Sequence, residues 1–130
     1  MIYALVVMSS PASGQAALSA ARFAKGVLVR GHSIRRVFFL DAGTANGSVA
    51  AIFPQDEVDR LQPWVELAEQ HGVELILCIT SALRYGMLDD TEAGRHGKAA
   101  ATIHPAFTIS GLGQLVDAAA CADRLVTFGG

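Results

Sequence analysis

Cys78 is the residue whose position points most directly to chemistry. It ends the strand expected at Val73–Cys78 and stands just before a helix start that Thr80 or Ser81 is placed to cap, with Gly86 closing that helix. The first turn of a helix offers unpaired N–H groups and the positive end of the backbone dipole. Both favour a thiolate over a thiol. Arg84 and Arg95 follow closely in the sequence and are sources of further positive charge. A thiolate so placed is a nucleophile towards a sulfur–sulfur bond. The plainer alternative is that Cys78 is one more small apolar residue closing a buried strand. The second cysteine, Cys121, lies in the run Ala118–Ala122 with no polar neighbour but Asp123, and reads as helix packing.

Other chemistries find less support. The four histidines, His32, His71, His96 and His104, show no His-x-x-x-His spacing, and the cysteines form no Cys-x-x-Cys pair, so no metal site is expected. Ser9–Gly14 falls between a first strand and a first helix, where backbone N–H groups can hold an anion as in a flavodoxin phosphate loop. Pro11 removes one of those donors and a full glycine-rich fingerprint is missing, which makes an ordinary turn the simpler reading. A Gly-x-Ser-x-Gly nucleophile elbow is absent, which leaves a serine hydrolase without support. Asp89, Asp90 and Glu92 are placed as helix-start residues, with Asp89 and Glu92 spaced as a variant capping box.

The elements that must position Cys78 alternate. Strands are expected at Ile2–Met8, Ile34–Leu40, Val73–Cys78, Phe107–Ile109 and Asp123–Phe128. Between the first two, Ala17, Ala20, Ala21, Ala24, Val27 and Leu28 make one apolar stripe of a helix over Gln15–Arg30, and Gly31 follows its end. Pro63 fits the first turn of a helix running to His71, with Trp64, Val65 and Ala68 inward and Gly72 ending it. Ser110 is placed to cap a last helix whose face is Leu112, Leu115, Val116 and Ala119. Asp41–Ser48 reads as a polar loop, and Val49–Asp59 and Arg95–Ala101 carry no decisive pattern. Strands alternating with helices imply right-handed crossovers and an α/β fold. The expected form is a three-layer α/β/α sandwich around a mostly parallel five-stranded sheet, built as a single domain over residues 1–130. Ligands of such sheets gather outside the C-terminal strand ends, where Ser9–Gly14, Asp41–Ser48 and Cys78 all fall.

Composition narrows the partners. Apolar residues make up 52% of the 130 and charged residues only 17%, which excludes disorder and implies that other subunits cover part of the apolar surface. The net charge of −2 and the lack of a basic run argue against direct nucleic-acid binding. The longest apolar stretch, Met1–Met8, is far short of the ~20 residues needed to cross a bilayer, and no basic segment precedes it. A cytoplasmic protein with reduced cysteines is expected.

The segment Cys78-Ile79-Thr80-Ser81-Ala82-Leu83-Arg84-Tyr85-Gly86-Met87-Leu88-Asp89-Asp90-Thr91-Glu92-Ala93-Gly94-Arg95 closely resembles the cysteine region of the DsrE/TusD family of sulfur-carrier proteins. Gly31–Phe39, Phe107–Gly113 and the N-terminal strand with its serine-proline turn are similar to it too. The loop Asp41–Ser48 departs from the family pattern, in which an aromatic residue and a Gly-Val pair are common. The resemblance implies a small α/β sandwich and a sulfurtransferase whose catalytic residue is Cys78, carrying a persulfide without metal or organic cofactor. It also implies assembly with TusB-like and TusC-like subunits, two copies of each, a TusA-like sulfur donor and a TusE-like acceptor. The sulfur would pass towards 2-thiouridine at the tRNA wobble position. DsrE proteins of dissimilatory sulfur oxidation look similar, and members lacking the cysteine serve assembly alone.

Overall fold

The computed structural model describes residues 1–129. In chain order they form β1 (Ile2–Val7), α1 (Ala16–Val29), β2 (Ser33–Phe39), a 3₁₀ helix (Asp41–Gly47), α2 (Gln62–His71), β3 (Leu75–Cys78), α3 (Ile79–Arg84), α4 (Asp90–Arg95), β4 (Phe107–Ser110), α5 (Gly113–Cys121) and β5 (Arg124–Phe128). The five strands make one sheet in the order β4-β3-β2-β1-β5, and every pairing between them is parallel. The expected five-stranded sheet is therefore wholly parallel among the described residues.

The strand order explains how the helices are shared out. From β1 to β4 the chain steps across the sheet in one direction, and right-handed crossovers keep the connecting helices on one face. The step from β4 to β5 reverses direction past three strands, so α5 must cross the opposite face. The first face is thick. Leu5, Val7, Val37, Phe39, Leu75 and Leu77 point from the strands into Ala17, Ala20, Ala21 and Ala24 of α1 and Trp64, Val65 and Leu67 of α2. The alanine stripe lets α1 approach the sheet closely, and Phe39 meets Trp64 edge-to-face at 5.0 Å. The helix ends follow sequence chemistry, with Gly31 at φ 85° after α1 and Gly72 at φ 67° closing α2.

The second face is thin. Phe38, Ile76 and Cys78 are its buried cluster, with Leu40 and Leu115 packed on it. A charge cluster pins α5 there. Buried Arg36 donates to the Gln114 carbonyl at 2.9 Å and to Asp117 Oδ2 at 3.0 Å. It also donates from Nη2 to Glu74 Oε2 at 3.2 Å, and its Nε lies 3.2 Å from Glu74 Oε1 without forming a hydrogen bond. Exposed Arg35 reaches the same Asp117 oxygen at 2.8 Å. These bonds set the rotation of α5, and it differs from the expected one. Ala118 is buried and Leu115 half-buried, while Leu112, Val116 and Ala119 face outward. The expected Ser110 cap is also replaced: Ser110 is the last residue of β4, and Leu112 takes the N-cap position with no side-chain bond.

Candidate functional site

β3 passes into α3 without a loop. Cys78 is both the last residue of the strand, in register with Ser110 of β4, and the N-cap of α3. The expected cap at Thr80 or Ser81 is thereby moved onto the cysteine itself, whose extended backbone (φ −61°, ψ 124°) turns the chain into the helix. The N–H groups of the first turn of α3 consequently open at the Cys78 end of the helix. The side chain lies on the thin face among Phe38, Ile76, Leu40 and Leu115, and the residue is only 5% exposed. The surroundings are thus mostly hydrocarbon, with the start of α3 at one end and Ser110 of β4 alongside.

The two arginines singled out by sequence do not converge on it. Arg84 stands in the last turn of α3, the end remote from Cys78. Arg95 is committed to Glu92 Oε1 at 2.8 Å. The electropositive feature the fold gives Cys78 is the helix start. Cys121 is exposed at the end of α5, 3.9 Å from Asp117 Oδ1, and does not serve as helix packing. Cys121 is the last residue of α5, at the helix end rather than on the turns held against the sheet.

The neighbouring strand ends are tightly built. The expected polar loop after β2 is a 3₁₀ helix with Gly43, Thr44, Asn46 and Gly47 buried. A Cβ on Gly43 would lie 2.1 Å from the Val7 carbonyl oxygen, so only glycine fits. Asn46 donates to the carbonyls of Ser9 (3.1 Å) and Gly43 (2.8 Å) and accepts from Trp64 Nε1 (3.2 Å). Asp41, at φ 50°, makes the tight exit from β2. The Ser9–Gly14 turn offers its carbonyls rather than an anion site: Arg60 donates to Pro11 O and Gly14 O at 3.2 and 2.6 Å. Asp89 caps α4 by accepting from the Glu92 N–H at 2.8 Å, as its spacing predicts. Glu92 is buried; Arg95 bonds its Oε1, and His96 lies 3.3 Å from its Oε2 without hydrogen-bond alignment. These acids shape the α3–α4 unit. Among the described residues no group of three or more metal-ligating side chains is gathered, and no helix is long and apolar enough to cross a membrane.

A cysteine that joins a central parallel strand to a helix is a local pattern; the whole chain carries a wider match. Residues 1–128 match the DsrE/DsrF-like family. The chain belongs to this family. It is 48% identical to a protein named DsrE from Allochromatium vinosum, over 99% of both chains. It is 44% identical to a sulfurtransferase TusD from Serratia proteamaculans, covering 97% of this chain and 98% of that one. A sulfurtransferase TusD from Salmonella newport is 42% identical over 98% of this chain and all of its own. The fold matches that of the YchN protein from E. coli, with a TM-score of 0.70 over 98% of this chain and 100% of that one, at 18% identity. The expected family and fold are both found, and the chain is a sulfurtransferase of the DsrE/TusD type. One neighbour of Cys78 is not visible from local sequence: Ser110, expected as a helix cap, is the register partner of the cysteine through a strand pairing across 32 residues.

Proposed function

We propose that Cys78 is the sulfur-carrying nucleophile of a persulfide relay. One observation carries this reading: a cysteine at the C-terminal end of a parallel strand occupies the N-cap of the next helix, beside the unpaired N–H groups of its first turn. The thiolate attacks the outer sulfur of a donor persulfide, the donor leaves as a thiolate, and Cys78 becomes Cys–S–SH. An acceptor thiolate then takes the outer sulfur and Cys78 returns to a thiolate. No net oxidation or reduction occurs, and no metal or organic cofactor enters.

The relay works in the cytoplasm as a single DsrE-like domain within a hetero-oligomer. A TusA-like protein supplies the sulfur and a TusE-like protein removes it, with TusB-like and TusC-like subunits completing the complex. The thin face supports assembly, since Leu112 is 56% and Val116 67% exposed on the outside of α5, the helix that covers Cys78. The near burial of the thiol gives the relay a use for partners: an unguarded persulfide is open to any stray reductant, and a docking protein can expose the sulfur only when transfer is due. The sulfur is destined for 2-thiouridine at the tRNA wobble position. A second destination, dissimilatory sulfur oxidation, is favoured by the 48% identity to the Allochromatium protein, against 44% and 42% for the two TusD proteins.

Cys78→Ser is expected to abolish sulfur loading from a persulfide donor, and Cys121→Ser to leave it nearly intact. Loading that persists without Cys78 would end the proposal. Measuring 2-thiouridine in a strain deleted for the gene separates the destinations: its loss supports tRNA thiolation, and unchanged levels support sulfur oxidation.

A further inference from the structure

Charge carried by Sγ during transfer calls for a hydrogen-bond donor, because Phe38, Ile76, Leu40 and Leu115 around it offer none. Register identifies a side-chain donor. Leu75 pairs with Phe107 and Leu77 with Ile109, and all four pack into the core of the thick face. The alternate pair, Cys78 and Ser110, therefore shares the thin face. Adjacent strands lie about 4.8 Å apart, so a χ1 rotation brings a serine hydroxyl within reach of its register partner's sulfur. Ser110 is half-buried and caps no helix, since α5 begins three residues later without a side-chain cap. Both neighbours of Cys78 on the β2 side and from α5 are leucines. Ser110 is thus the polar residue paired with Cys78 on β4.

We propose that Ser110 is a positioning residue for sulfur transfer, donating a hydrogen bond to Cys78 Sγ whenever that atom carries charge. This rests on Cys78 being the sulfur carrier. In loading, the bond holds the attacking thiolate. In unloading, the acceptor's thiolate bonds to the outer sulfur, the S–S bond to Sγ breaks, and Sγ leaves with the electron pair, which the hydroxyl stabilises. Ser110 keeps its proton throughout. The two half-reactions must then respond in opposite ways, because a more basic thiolate attacks faster but leaves more slowly.

The test uses the full chain in a Cys121→Ser background, since the exposed Cys121 thiol would otherwise react as well. Iodoacetamide alkylation of Cys78 is followed against pH, and sulfur is loaded from glutathione persulfide and unloaded onto a small thiol. For Ser110→Ala the alkylation midpoint should move up by about one pH unit, the effect of losing one hydrogen bond to a charged group. At pH values where both proteins are fully ionised, Ser110→Ala should load up to about threefold faster and unload about threefold more slowly. Ser110→Thr, which keeps the hydroxyl, should restore the parent behaviour. An unchanged midpoint and unloading rate in Ser110→Ala, with loading still abolished by Cys78→Ser, would overturn the role of Ser110 and leave the relay standing. A change of equal sign in both half-reactions would also overturn it. Loading that survives Cys78→Ser would remove both.

Discussion

The two faces of the sheet are made from the same strands and finished differently. On one, α1 and α2 with its Trp64 pack over Phe39, Leu75 and Leu77, and buried Asn46 has three hydrogen-bond partners. On the other, a single helix held by Arg36 and Asp117 lies over Phe38, Ile76 and Cys78, and it turns Leu112 and Val116 to the outside. Topology imposes the contrast, because only the return to β5 crosses the thin side. The thick face supplies stability. Cys78, the proposed sulfur carrier, sits on the side that a single helix covers.

Perturbing the thick side should cost most. Gly43→Ala drives a methyl into the Val7 carbonyl at the junction of β1 with the 3₁₀ helix. A loss of about 3 kcal/mol in denaturant unfolding is expected, the upper part of the overpacking range. A loss under about 1 kcal/mol would mean that the junction yields and that the thick face is less rigid than its contacts imply.

The anchor of the thin face should respond to pH. The hydrogen bonds from Arg35 and Arg36 hold the Asp117 carboxyl below its usual range. A carboxylate with a lowered native value stabilises fully above its unfolded value, about pH 4, and loses that contribution as pH falls through the native value. Asp117→Asn should therefore lower the melting temperature at neutral pH, with the gap to wild type closing below about pH 4. A gap independent of pH would assign the anchor to packing alone. Raised salt should narrow it as well, since Asp117 and Arg35 are solvent-accessible.

The smallest effect on the chain's own stability, under about 0.5 kcal/mol, is expected from Val116→Ser. Its consequence should appear in association: light scattering of the isolated chain should show less self-association than wild type. A wild-type chain that is already a clean monomer would contradict the view that the outer side of α5 is an interface.

Local signals in the sequence reached the thick side well. The alanine spacing of α1, Pro63 and Gly72 around α2, and the apolar runs of β1 to β3 each act within a few residues, and each element formed as expected. The thin side depends on contacts far apart in the chain. Arg36 is buried among partners distant in sequence, Glu74 just before β3 and Asp117 in α5, 38 and 81 residues away. α5 has apolar residues around most of its circumference, so periodicity alone could not choose its inward side. Asp41–Gly47 looked like solvent loop because it is rich in glycine and polar groups. It is buried because Gly43 permits backbone contact and Asn46 finds three partners. Cys78 was legible from its place at a strand end; its register partner Ser110 was not.

The central claim is tested most directly by locating the sulfur. The wild-type chain is incubated with substoichiometric glutathione persulfide, digested without reductant and mapped by mass spectrometry. One added sulfur on the peptide containing Cys78, with the Cys121 peptide unmodified, is the predicted result. Sulfur on the exposed Cys121 with Cys78 left as a thiol would contradict it.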